Sequence, residues 1–181
     1  MVGVGLFTAI VVVLQLLGGG IKFGIFSISL VLVPIVVGSA VYGWKAGAWL
    51  GFAFGVTVLL SGDASAFLTV DVFGTVLVVL AKGIGCGLVA GFLYKALSSA
   101  NRALAVFVAA LACPVVNTGI FLLGCKIFFL DTVAAWGAAL GFENVASYMF
   151  FGLAGTNFLI EMAVNIVLAP MILRLIKIKM R

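Results

Sequence analysis

Asn157, Glu161 and Asn165 recur every four residues inside a long apolar run near the end of the chain. At about 100° per residue the set drifts by only about 80° around a helix, so the three share one face. Carboxyl and amide groups are costly at membrane depth, so that face must turn into a helix bundle or toward water. Three readings of it stand: a helix-helix hydrogen-bond clamp, the wall of a ligand pocket, and a carboxylate that couples to a proton or ion. Lys82, in another apolar run, is the natural opposite charge. It lies roughly 13 Å from the outer end of its run, at a depth similar to Asn157, with Glu161 about one turn deeper. It either pairs with Glu161 or stays available to an anionic ligand. Thr75, one heptad earlier, shares its face.

A third polar group sits in "ACPVVNTGIFLLGCK", Ala112 to Lys126. Asn117 and Thr118 follow Pro114, which removes one helical hydrogen bond and frees a carbonyl. Asn117 either satisfies that carbonyl locally or faces a cavity shared with the Asn157 stripe. Lys126 is nine residues further, about 180° around the helix, and is expected to reach the interface by itself.

Other chemistries are excluded or unsupported. The chain has no histidine, so zinc or haem ligation through imidazole is ruled out, as is a histidine-activated nucleophile. Cys86, Cys113 and Cys125 match no metal spacing and are expected to pack as small apolar residues. There is no phosphate-binding loop of the G-x-x-x-x-G-K-[ST] type and no ladder of arginines. An enzyme is not expected, and no cofactor is implied.

The elements that must position these groups follow from composition. The 181 residues are 66% hydrophobic and only 8% charged, with mean hydropathy +1.44. A soluble domain of this size could not cover its surface with so few charges. The expected class is an all-α integral membrane protein, a single domain over 1–181. Six spans are expected at about 3–20, 28–43, 46–60, 73–96, 103–129 and 147–176, with strands disfavoured by the length of the runs. The first run lacks a basic leader and reads as a span, not as a removed signal.

Charge sets the expected orientation. Lys45 falls between the second and third spans, and Lys95 and Arg102 between the fourth and fifth. Arg174, Lys177, Lys179 and Arg181 lie at the end. Asp63, Asp71, Asp131 and Glu143 lie on the other side, with Lys22. The positive-inside rule then puts both termini in the cytoplasm. The basic tail is a topology signal or, alternatively, a site for membrane lipid. Glycine recurs every four residues at Gly43, Gly47, Gly51 and Gly55, and again at Gly83, Gly87 and Gly91. Such ladders let helix backbones approach closely. Gly5 and Ala9 form a further small pair that could face a partner protein.

Taken in order, "GLFTAI", "FSISLVLVPIVVGSAVYGWKAGAWLGFAFG", "KGIGCGLVAGFLYKAL" and "CPVVNTGIFLLG" resemble the substrate-binding S component of energy-coupling factor (ECF) vitamin transporters. The likeness covers nearly the whole chain. It implies a compact bundle of six transmembrane helices in the cytoplasmic membrane of a bacterium or archaeon. It also implies capture of a vitamin near the outer face and docking on a transmembrane coupling subunit with two cytoplasmic ATPases. The family's small-residue docking motif would fall on Gly5 and Ala9, with glycine in place of the first alanine. Its pocket would be formed by Lys82, Asn117, Thr118, Asn157 and Glu161, covered by residues around Lys22 and Phe26. Lys82 and the amides suit a small polar ligand with a carboxylate, and pantothenate is expected ahead of riboflavin. A proton-coupled secondary transporter using Glu161 and a ligand-free assembly protein are the rival classes.

Overall fold

The computed structural model describes residues 2–18, 22–23, 26–27 and 30–179, with backbone alone at residues 22–23, 26–27, 156 and 177–179. Long apolar stretches fold as helices because a helix satisfies its own backbone hydrogen bonds without water. In chain order these are α1 (Val2–Gly18), α2 (Leu32–Tyr42), α3 (Trp44–Ser61), the short α4 (Ser65–Leu68), α5 (Val72–Ser98), α6 (Arg102–Phe128), α7 (Leu130–Ala139), α8 (Val145–Ser147) and α9 (Thr156–Lys179). A π-helical segment, Tyr148–Gly155, joins α8 to α9. Among the described residues the exception to helix is a two-residue antiparallel pair, β1 (Lys22–Phe23) and β2 (Phe26–Ser27), with Lys22 opposite Ser27. Alternating residue types in this stretch, unlike the continuous apolar runs elsewhere, suit the two-residue period of a strand.

Four helices are long and apolar enough to cross a membrane: Trp44–Ser61, Val72–Ser98, Arg102–Phe128 and Asn157–Ile176. At 27 residues each, α5 and α6 rise about 40 Å, beyond the roughly 30 Å of a hydrocarbon core. The expected run 28–43 corresponds to α2, whose 11 residues rise about 16 Å. No more than 39% of any of the four apolar windows is buried. Phe92, Phe107, Leu123, Ile127 and Val167 are among the large apolar side chains left outward, a surface suited to lipid and not to water.

Local signals fix the ends. Asp71 accepts from the Phe73 amide at 3.0 Å and starts α5, and Asn101 accepts from the Ala103 and Leu104 amides to start α6, each satisfying amide groups that a helix leaves unpaired. Pro34 sits in the first turn of α2, where its missing donor is harmless. Gly43, at φ 88°, makes the turn from α2 into α3. That position takes Gly43 out of the glycine ladder expected from spacing; it serves as a hinge of the chain where a side chain would be strained.

The rest of the ladder is the centre of the bundle. α5 packs most heavily against α3 and α6. A Cβ added at Gly51 would meet the backbone carbonyl of Gly83, and one added at Gly47 the carbonyl of Gly87; the reverse substitutions meet Gly51 and Gly47 in turn. The two ladders therefore face each other, antiparallel, backbone on backbone. α9 lies on α6 and α2, and α1 lies on α3 and α2. Cys86 and Cys113 are fully buried within the larger apolar core, packed as expected. A second cluster, built on Phe67, Cys125, Phe129, Val133, Tyr148 and Leu153, closes one end of the bundle beneath α7 and the π-helix.

Candidate ligand-binding site

Between these two apolar clusters lies a cavity lined by residues of α1, α3, α5, α6 and α9. α5 presents Thr75, Val78, Val79 and Lys82 to it, a spacing of three and four residues that keeps them on one helical face. α6 presents Asn117, Thr118, Phe121 and Cys125 by the same rule, and α9 presents Asn157, Phe158 and Glu161. Glu161 and Asn117 are each 6% exposed.

Lys82 is the cation of the site. Its Nζ lies 5.8 Å from the Phe54 ring centre and 5.5 Å from that of Phe121, within the range where a ring quadrupole attracts an ammonium. Of the groups that act on it electrostatically, Glu161 is the strongest. A charged pair in a low-dielectric wall is held together by mutual attraction but still carries desolvation cost. Aromatic faces offset part of that cost.

The amides behave differently from one another. The Oδ1 atoms of Asn117 and Asn157 are buried and have no hydrogen-bond partner among the described residues. Leaving an acceptor unsatisfied in this way costs about 1–3 kcal/mol, so a ligand that donates hydrogen bonds here would recover that cost. Asn165 shares the partnerless Oδ1 among the described residues but departs from the stripe otherwise: it is fully buried, does not line the cavity, and donates through Nδ2 to the Glu161 carbonyl at 2.8 Å. Thr75, though a wall residue, spends its hydroxyl on the Asp71 carbonyl at 2.6 Å.

Lys82, Asn117, Thr118, Asn157 and Glu161 are thus brought together. Lys126 is exposed, away from the cavity, as its place on the helix requires. The side chains of Lys22 and Phe26 lie outside the described residues. Gly5 and Ala9 are exposed on α1, remote from the cavity lining.

Two polar wall residues escaped the reading of the sequence. Gln15, on α1, is 2% exposed and donates through Nε2 to Asp63 Oδ2 at 2.7 Å. Ser61 donates to the same oxygen at 3.0 Å. Gln15 is an amide inside an apolar run, the same signal that singled out Asn117, and could have been found by it. Asp63 reads as a loop charge until Gly62, at φ 82°, turns the chain back over the cavity. Phe54, Phe67, Phe121 and Phe129 complete the wall; with 16 phenylalanines in the chain, composition alone could not select them.

A half-buried cation, amide oxygens without a described partner and an aromatic wall are the features of a pocket for a small polar ligand, and no group of three or more metal-binding side chains occurs among the described residues. No solved structure matches the chain. Pantothenic acid transporter PanT of Lactococcus lactis subsp. cremoris (strain MG1363) is 28% identical over 158 residues, 80% of this chain and 74% of that protein. The family model described as ECF transporter, substrate-specific component, matches residues 1–173, and the chain belongs to that family.

Proposed function

We propose that this chain captures pantothenate at the outer face of the cytoplasmic membrane and delivers it to a coupling subunit driven by two ATPases. In this reading the chain is one domain of six spans, α1 and α2 included, with both termini in the cytoplasm. It performs no catalysis. The similarity to a pantothenic acid transporter supports the choice of vitamin.

The observation that carries the reading is the pairing of Lys82 with the two partnerless amide oxygens in one cavity. Pantothenate has one carboxylate, one amide and two hydroxyls. The carboxylate matches the Lys82 ammonium, and the amide N–H and hydroxyls are donors for Asn117 and Asn157. Its geminal methyl groups suit the Phe54, Phe67 and Phe121 wall.

The test is calorimetric titration of the purified protein with pantothenate and with riboflavin, repeated on Asn117→Leu and Asn157→Leu. Pantothenate is expected to bind, and each leucine to weaken it about 10-fold, the worth of one hydrogen bond of about 1–1.5 kcal/mol. Thermal stability should hold or rise, because each substitution removes an unsatisfied buried acceptor. Stability that falls while binding is unchanged would favour the ligand-free assembly role.

A further inference from the structure

Lys82 and the amides are one pole of the cavity; Asp63 makes another. Gly51 of α3 packs on Gly83, the residue next to Lys82, whereas Asp63 lies just past the end of α3 at Ser61, which is about 15 Å further along that helix from Gly51. Its carboxylate is fixed from two elements: Gln15 of α1 and Ser61 at the end of α3 both donate to Oδ2, at 2.7 and 3.0 Å. Gln15 itself is held, packed to 2% exposure. Both Gln15 and Asp63 line the cavity.

We propose that Asp63, pinned by Gln15 and Ser61, is a specificity-determining residue that accepts a hydroxyl at the ligand end opposite the carboxylate and rejects a second anion there. The inference rests on the reading that the ligand is an anion seated at Lys82. An ionised carboxylate offers about four acceptor positions, and the two described donors both use one oxygen. The remaining capacity suits a hydrogen-bond donor from the ligand. The same charge repels an anion, so a ligand with one negative end is oriented as well as selected: negative end to Lys82, hydroxyl end to Asp63. Selection by repulsion of this kind discriminates between ligands without adding affinity. A fixed carboxylate also loses little side-chain freedom when it binds, since Gln15 and Ser61 have already restricted it.

Two titrations of the full-length protein in detergent test this. In the first, pantothenate is compared with an analogue whose pantoyl hydroxyls are replaced by hydrogen. Wild type is expected to prefer pantothenate by about 10- to 100-fold, the range for hydrogen bonds to a charged group, and Asp63→Ala to reduce that preference to within about 2-fold. An equal preference in both proteins overturns the assignment of Asp63. In the second, which needs no variant and stands even if Asp63→Ala fails to fold, the terminal hydroxymethyl of pantothenate is oxidised to a carboxylate. Wild type is expected to bind this dianion at least about 100-fold more weakly, the sum of a lost hydrogen bond and a like-charge contact. Comparable affinity for the dianion overturns the proposal. Failure of wild type to bind pantothenate at all is a different result: it removes the anion-binding reading, and the role of Asp63 with it.

Discussion

Gly83→Ala adds a single methyl group where the structure has no room for one. The new Cβ would lie on the Gly51 carbonyl oxygen, and 3.3 Å from both the Gly51 carbonyl carbon and the Gly55 nitrogen. These are backbone atoms, so no rotamer change makes space; α3 and α5 must move apart along their most extensive contact. Overpacking of a tight core costs about 1–3 kcal/mol, and the rigid obstacle places this case in the upper half of that range. A gain of up to about 1 kcal/mol from the better helix propensity of alanine offsets it only in part. At about 2–4 °C per kcal/mol for a chain of this size, the net loss in melting temperature is about 2–12 °C. Gly119→Ala supplies the comparison, because a Cβ there meets nothing within 4 Å and receives the propensity gain unopposed. The assay is thermal unfolding of both variants in the same detergent, followed by tryptophan fluorescence. Gly83→Ala melting at or above Gly119→Ala would refute the view that backbone contact between the ladders holds the bundle.

Two further outcomes follow from exposure. Cys86, Cys113 and Cys125 are at most 1% exposed, so a maleimide should label none of them in the folded protein and all of them after unfolding; rapid labelling of the native protein, read by intact mass, would contradict their packing. Gly5 is exposed with nothing within 4 Å of an added Cβ, and Ala9 is exposed beside it one turn on. If the chain docks on a coupling subunit through α1, as we propose, Gly5→Leu and Ala9→Leu should leave its melting temperature and pantothenate affinity unchanged while abolishing co-purification with that subunit. Retained assembly would argue against docking through α1.

The wall residues on α5, α6 and α9 were legible because each is polar in an otherwise apolar helix. In lipid such a residue has few reasons to exist other than a cavity or a helix contact. The same logic could not separate Asn157 from Asn165. They share a face by angle, and what divides them is that Asn165 bends back to the Glu161 carbonyl. That choice depends on tertiary packing and not on spacing. The glycine ladders announced a close helix pair but not which glycine lay outside it: Gly43 keeps the four-residue rhythm and yet serves a turn, because its φ of 88° is set by the chain's reversal between α2 and α3. The π-helix at Tyr148–Gly155 has no sequence signal of comparable strength; the apolar run there reads as one continuous span. Asp63 was hidden for a related reason. Its role comes from the fold of Ser61–Gly62–Asp63 over the cavity and from a hydrogen bond to a residue 48 positions earlier, neither of which a local pattern carries.

The pocket's occupant is the quantity on which the rest depends. Purification of the protein in mild detergent, with no vitamin added, followed by denaturation and mass spectrometry of the released small molecules, identifies it directly. Release of pantothenate, approaching one molecule per chain, is the predicted result. A protein that emerges empty, and whose melting temperature then shifts with neither pantothenate nor any other B vitamin, would contradict the assignment of this cavity to vitamin capture.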